Sequence, residues 1–403
     1  MGWTPFEETL KALKDSFTCK GVIEYVGLME SQGRILAEDI IAGENSPEVP
    51  TSAMDGYAIR FCDQDKGRLS LVHHLPAGTD VTQKVEEGTC IKTFTGSLMS
   101  EGSDTLIPIE NVTVEGDEII INEKVKKGFA VRPVGESYQK GEVLIAKGVK
   151  IGFAEIGVLA GLGIVHVGVK KRPRVAILAT GSEIVDIGQP LTNPAQIRSS
   201  NHVTLAAIVK SMGAEPLLLG IAGDDKELIK ARILEGLHHA DIVVTTGGVS
   251  VGDYDFVKDI IKGLDVISII EGAAIKPGRH IRVVKAGEKY IFALPGFPYS
   301  AAVVAYLYIV PLIEYWLGID SSCRMVQATL EHDYHKRSPF TEFTACNLLH
   351  VEGKYHVNLE GKKTGSSAIL NNMLGNCALL CVPVDATILH AHSTVDVILL
   401  QRF

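Results

Sequence analysis

The period of the apolar positions changes several times along the chain, and each change marks a change of architecture. Residues 4–16 carry apolar side chains at helical spacing and predict an amphipathic helix; a second helical stretch is expected just before Gly33. Residues 43–50 hold two prolines and read as a loop. Between 59 and 131, short β-type runs at 69–72, 84–91, 105–109 and 118–121 alternate with Gly, Asp and Asn turns, predicting a small β-rich module. A polar loop at 135–141 then leads back to a Gly-rich helical stretch at 151–162.

Past the basic, proline-containing segment 170–173 the texture becomes α/β. Residues 175–178 form a continuous apolar run, as expected of a strand covered on both faces. Asn201 is placed to cap a helix with Leu205, Ile208, Val209 and Met212 on one face and Gly213 as its stop. Strands at 217–221 and 242–244 alternate with helices capped by Asp225 and carried by Val257, Ile260 and Ile261. That alternation predicts a parallel sheet with right-handed crossovers. The apolar stretch 301–317, interrupted by Pro311 and Glu314, is short of the ~20 apolar residues of a bilayer span and is expected to be a buried helix. From 326 to the end, short strands between Gly and Asp turns predict a second β module.

Composition narrows the class. The 403 residues imply several domains, and 46% hydrophobic with 22% charged residues is ordinary for a globular protein. A formal charge of −9 argues against a nucleic-acid partner. The 7 scattered cysteines include no C-x-x-C pair and are expected to be reduced, with Cys377 and Cys381 on one strand face. No leader-like segment opens the chain, so a cytoplasmic protein without a membrane partner is expected.

Candidate chemistry clusters where an open parallel sheet binds ligands, beyond the carboxyl ends of its strands. Three such ends are Thr180-Gly181-Ser182-Glu183, Gly223-Asp224-Asp225, and the run from Thr245 through Gly247, Gly248, Ser250 and Asp253 to Asp255. Glycines there let backbone amides approach a phosphate. Asp224, Asp225, Asp253 and Asp255 offer the hard oxygens Mg²⁺ prefers beside a phosphate, although Asp225 and Asp255 could equally cap helices. In Lys276-Pro277-Gly278-Arg279-His280 two cations bracket a rigid turn, suiting an oxyanion. Pro295, Pro298 and Ser300 then lie where a strand ends and the long helix begins. Far upstream, Ser52-Ala53-Met54-Asp55-Gly56-Tyr57-Ala58 carries a carboxylate expected to be buried and therefore to need a partner. Neither a P-loop nor a G-x-G-x-x-G signature after a strand is present. The residues alone predict an α/β protein with a Mg²⁺-assisted site for an anionic, phosphate-bearing small molecule.

Together these motifs resemble the MoeA family, the molybdenum insertases that include the gephyrin E domain. The resemblance spans essentially the whole chain and rests on Gly33 to Asp39, the heptad around Asp55, Thr95-Gly96, Thr180 to Glu183, Gly247 to Asp255, Lys276-Pro277-Gly278, Leu294-Pro295-Gly296 and Leu374-Gly375-Asn376. It implies a multidomain α/β protein: an elongated split domain (1–44 with 134–169), a β-rich domain (45–133), a central α/β MogA-like domain (170–318) and a C-terminal barrel-like domain (319–403). It also implies a cytoplasmic homodimer whose site is completed across the subunits. The substrates would be molybdate and adenylylated molybdopterin, with Mg²⁺ as cofactor and AMP released. Other implied partners are the upstream adenylyltransferase and the molybdoenzymes or their chaperones. By the same resemblance Asp224, Asp225 and Asp255 would hold Mg²⁺, and Glu183 would lie near the pterin-nucleotide phosphates, beside Gly181 and Ser182. Gly247, Gly248 and Ser250 would cradle phosphate, and Lys276 and Arg279 would neutralise anions. Ser300 with Ser366 or Ser367 would donate to the oxyanion, and Asp55 and Thr95 would reach in from the partner chain.

The chain departs from the family pattern at several points. G-E-D becomes Gly135-Glu136-Ser137, T-G-A-P becomes Thr95-Gly96-Ser97-Leu98, and L-P-G-N-P-V-S-A acquires Phe297 and Tyr299. G-R-x-E-F-x-R becomes Pro339-Phe340-Thr341-Glu342-Phe343-Thr344-Ala345, without either arginine. Losing a charge-assisted partner costs an oxyanion clamp ~1.5–3 kcal/mol. Arg337, Lys362 and Lys363 are candidates to compensate; the alternative function is a carrier or scaffold that binds the pterin nucleotide without inserting metal.

Overall fold

A computed structural model describes residues 3–18, 21–80, 83–248, 256–320 and 324–400. It divides into two compact units: 1–35 with 150–152 and 166–403, and 36–149 with 153–165.

In the first unit a six-stranded sheet runs in the order Glu215–Ala222, Arg174–Thr180, Ile242–Thr246, Lys289–Leu294, Arg282–Ala286, Ile267–Glu271. The first four strands are parallel. The last two are antiparallel, so the expected all-parallel sheet ends in a hairpin and an antiparallel edge. Alternate residues of Arg174–Thr180 enter opposite layers. Val175 and Ile177 pack with Leu205, Val303 and Tyr308, whereas Ala176 and Leu178 pack with Ile229, Ile233 and Val257. Both faces are covered, which is why the strand reads as an unbroken apolar run. The helix capped by Asp225 begins as expected: its Oδ1 accepts from the amides of Glu227 and Leu228. Asn201, by contrast, lies inside its helix, Asn201–Ser211, with Ser200 at the cap.

The long apolar helix spans Pro298–Leu317, with a π-helical turn at Ala305–Ile309. It is the one described helix long and apolar enough to cross a bilayer, yet 89% of its apolar window is buried inside the protein. Beyond it, Thr341–Val351, Lys354–Asn358, Met325–Leu330, Thr394–Leu399 and Cys377–Val382 pair in turn, and the last pairs back onto the first, closing a barrel. The short strand Ile275–Lys276 adds outside it, parallel to Thr341–Val351, with Lys276 opposite Glu342. The second helical stretch expected just before Gly33 is a single 3-10 turn, Met29–Ser31, preceded by the strand Ile23–Gly27, which runs antiparallel to His166–Lys170.

The second unit holds a six-stranded sheet ordered Thr105–Pro108, Gly56–Ile59, Thr89–Thr93, Arg68–Leu75, Glu118–Ile121, Val112–Glu115. Tyr57, Ile59, Leu69, Cys90, Ile107 and Ile119 form its core. The heptad glycine has a steric reason: a Cβ on Gly56 would stand 2.4 Å from the carbonyl oxygen of Ile107 on the neighbouring strand.

Candidate active-site cleft

A cleft of about 710 Å³ opens in the first unit where three parallel strands end. From the strand ends come Thr180 with Glu183, then Gly247 and Gly248, then Pro295 and Gly296. The opposite wall is the turn from Lys276 to His280, and Phe297, Pro298 and Ser300 close one side at the start of the long helix. Thus Glu183, Gly247, Gly248, Lys276, Arg279, Pro295, Pro298 and Ser300, all expected site residues, share one cavity.

Local bonding sets what each can offer. Thr180 Oγ1 donates to the Thr246 carbonyl at 3.1 Å, and the Gly247 amide donates to the Leu294 carbonyl at 3.1 Å. These bonds lock the two loops together and use up the Gly247 N–H; among the described residues the Gly248 amide has no backbone acceptor. Gly247 has φ +97°, and a Cβ there would lie 2.8 Å from the Thr180 carbonyl oxygen, so only glycine suits the position. Asn201 Nδ2 holds the Gly296 carbonyl at 2.7 Å, and the Ser300 amide donates to the Ser367 carbonyl at 3.1 Å. Among the described residues, neither Lys276 nor Arg279 makes an ion pair. Arg279 instead sits over the Phe340 ring, 5.9 Å from its centroid, so the aromatic residue that replaces the family arginine stacks on a cation of the same cleft. Tyr299 is not a cleft residue. It is buried, donating to the Phe343 carbonyl at 3.1 Å and accepting from the Ala345 amide at 2.8 Å, which ties the long helix to the barrel.

Other expected residues lie elsewhere. Gly181, Ser182, Asp224 and Asp225 do not line the cleft. Ser182 and Asp224 bond each other: the Ser182 amide donates to Asp224 Oδ2 at 3.2 Å, and the Asp224 amide donates to Ser182 Oγ at 3.0 Å. Asp224 and Asp225 are both exposed. Ser250, Asp253 and Asp255 lie outside the described residues. Among the described residues no three His, Cys, Asp or Glu side chains gather as a metal cage.

A second cavity, about 40 Å³, adjoins Lys276 and is lined by Arg337, Glu342, Lys363, Ser366 and Ser367 among others. Arg337 and Lys363 thus share a small polar cavity with Lys276, while Lys362 is spent on the carbonyls of Asn372 and Leu374. Sequence reasoning missed Arg198, Asn201, Ser199 and Ser338 in the main cleft. Ser199 Oγ bonds Nδ1 of buried His202, whose Nε2 lies 3.6 Å from Asp186. The Ser-Ser-Asn-His sequence at 199–202 is the only signal that could have pointed there.

In the second unit, Asp55 and Thr95 do meet. Asp55 Oδ1 accepts from the Thr95 amide and hydroxyl, both at 2.8 Å. The amide bond first, then the hydroxyl bond, hold the Asp55 carboxyl below the usual carboxylate value. Contrary to expectation the carboxylate is exposed, so it needs no buried partner to survive as an anion.

Comparison with known proteins identifies the family. Residues 4–163 match the MoeA N-terminal region (domain I and II), and residues 176–315 match a probable molybdopterin binding domain. A molybdopterin molybdenumtransferase of Bacillus subtilis is 31% identical over 96% of this chain and 92% of its own length. One from Nostoc sp. is 34% identical over 94% of this chain and 88% of its own. The crystal structure of a molybdopterin biosynthesis MoeA protein from Pyrococcus horikosii superposes with a TM-score of 0.87 at 29% identity, covering 100% of both chains. The multidomain α/β architecture, with its molybdopterin-binding α/β sheet, is therefore that of these proteins, and the chain belongs to the MoeA family of molybdenum cofactor biosynthesis.

Proposed function

We propose that the chain is a molybdenum insertase. Molybdate and adenylylated molybdopterin occupy the cleft, molybdenum is placed on the dithiolene, water cleaves the phosphoanhydride and AMP leaves. The observation that carries this reading is that Lys276 and Arg279, which make no ion pair among the described residues, share one 710 Å³ cleft with Gly247 and Gly248. In a protein of net charge −9, a cavity that gathers Lys276, Arg279 and Arg198 with the single described acid Glu183 is suited to an anion. The adjoining cavity supports the oxyanion half of the reading: Arg337 and Lys363 join Lys276 there and can replace the charge lost with the family arginines.

Mg²⁺ would be held by the exposed carboxylates of Asp224 and Asp225 through Asp224 Oδ1 and Asp225 Oδ2, since Asp224 Oδ2 accepts from the Ser182 amide and Asp225 Oδ1 caps its helix; an ion shared with substrate phosphates needs only one or two carboxylates plus water. Asp255 would be a third ligand. When bound, Mg²⁺ supplies Lewis-acid polarisation of a phosphoryl oxygen. Glu183 would orient water or phosphate within the cleft, the Gly248 amide and Ser300 would bind oxygens, and Ser366 would face the oxyanion.

In this reading the active form is a cytoplasmic homodimer with the four-part domain division given above, and Asp55 and Thr95 complete the partner's cleft. The product passes to molybdoenzymes or their chaperones, and substrate arrives from the adenylyltransferase. The test is anaerobic AMP release from adenylylated molybdopterin with Mg²⁺, with and without molybdate. Release stimulated by molybdate, abolished in Lys276→Ala, is the expected result. Tight binding without stimulated release would establish the carrier instead, a reading favoured by Phe340 covering one face of Arg279.

A further inference from the structure

The first unit contains another large cavity, about 700 Å³, that shares no residue with the cleft. Its charged lining is Arg34, Lys150, Arg172, Lys210, Arg324 and a single acid, Glu314. Glu314 is committed: its Oε1 pairs with Arg324 Nε at 2.5 Å, and both side chains are buried. Arg34 is also buried and spends Nη2 on Glu24 and on the Lys170 carbonyl, leaving Nε and Nη1 without a described partner. Arg172 is half-buried and makes no hydrogen bond or ion pair with any described residue. Lys150 and Lys210, at the rim, also make no ion pair.

Burial and the neighbouring Arg34 both push the Arg172 guanidinium below its usual value. A desolvated cation beside a like charge is unfavourable unless something compensates it. Glu215 and Glu24 offset this only in part, and both are engaged with other cations, Glu24 with Arg34 and Glu215 with Arg174 at 3.4 Å. A bound anion would supply the direct partner that Arg172 lacks among the described residues. Guanidinium forks match phosphate oxygens two at a time, and a cavity of this volume holds a ligand of nucleotide size. Its lining also includes the apolar side chains of Ile208, Leu317 and Ile319. We propose that this cavity binds an oligophosphate group, gripped by Arg172, Arg34 and Lys210, at a site separate from the cleft.

The shared chemistry could come from an inorganic chain or a nucleotide, and the two are distinguished by titrating the full-length protein calorimetrically with tripolyphosphate and with adenosine triphosphate at physiological salt. Binding of both with similar affinity identifies the phosphate chain alone as ligand; at least tenfold tighter binding of the nucleotide brings in the apolar side chains. In either case Arg172→Gln should weaken binding by about tenfold or more. Lys210→Ala, an exposed substitution that spares the fold, should weaken it about threefold. Lys276→Ala, in the cleft, should leave this binding within about twofold of wild type. Absence of binding, or loss through Lys276→Ala with Arg172→Gln and Lys210→Ala behaving as wild type, would overturn the proposal.

Discussion

Asp55 keeps its charge chiefly through two donors supplied by one residue, Thr95, with Lys92 adding a smaller pull. Its folded-state value is depressed, so whatever it contributes to stability is present above the unfolded carboxylate value and is lost only as pH falls through the lower folded one. No acid limb from Asp55 is therefore expected at pH 5 or above. Replacing Thr95 with Val removes the hydroxyl but keeps the amide, and should raise the Asp55 value only part of the way to that of a free carboxylate. Carbon-detected NMR titration of the side-chain carboxyl checks this, and an unchanged value would mean the hydroxyl is not a donor in solution. Cysteine chemistry sorts just as clearly. Cys62 is exposed, whereas burial pushes the thiols of Cys90 and Cys346 up to about 12. Iodoacetamide at pH 8 should modify Cys62 at least tenfold faster than Cys90 or Cys346, since attack needs an accessible thiolate; peptide mass spectrometry reads the order directly.

At the scale of elements, the glycine of the Ser52–Ala58 heptad is a packing device. Gly56→Ala drives a methyl into the backbone of Ile107, with Leu106 side-chain atoms also within 3 Å, and should cost about 1–3 kcal/mol or more. Denaturant unfolding of the full chain would show it as an early transition confined to the second unit. The parts legible in the sequence were those whose cause is local. The strand at 174–180 is apolar on both faces, and Asp225 caps with its own side chain. The misread Ile23–Gly27 is short, and its partner His166–Lys170 lies more than a hundred residues away, so nothing nearby distinguishes it from a helix. The antiparallel edge of the central sheet has a local cause instead: Arg282–Ala286 and Lys289–Leu294 are joined by the two-residue turn Gly287-Glu288, a hairpin signal masked by the surrounding β/α alternation. Lys276 and Arg279 were readable as a charged turn. That Arg279 would meet Phe340 was not, because the barrel brings that pair together.

For the whole molecule, the decisive issue is where Asp55 acts. If it completes the cleft of a partner subunit, damage in one chain can be made good by another. Asp55→Ala and Lys276→Ala chains should each be inactive alone. Random mixing gives half heterodimers, each with one undamaged composite site, so co-produced chains should regain about a quarter of wild-type AMP release. No recovery would place Asp55 and Lys276 in the same chain's site, or Asp55 outside it. The family relationship fixed the reaction class, while the two cavities differ in what the sequence disclosed. The cleft is built largely from short motifs at strand ends, whereas the separate 700 Å³ cavity draws Arg34, Arg172 and Arg324 from distant stretches whose convergence only the fold reveals.

The strand Ile275–Lys276 links the charged turn to the barrel. Lys276 belongs by sequence to the α/β region but hydrogen-bonds its backbone as part of the C-terminal sheet. The barrel is consequently not a cassette that can be excised or exchanged among relatives without consequence. Cutting after residue 318 would strip a strand from Thr341–Val351 and expose its backbone donors and acceptors as an edge open to self-association. The same cut would release the turn that carries Lys276 and Arg279 from its anchor. Grafting a foreign barrel to restore the missing arginines would thus disturb the lysine it was meant to assist, and substitutions made within the native barrel are the sounder engineering route.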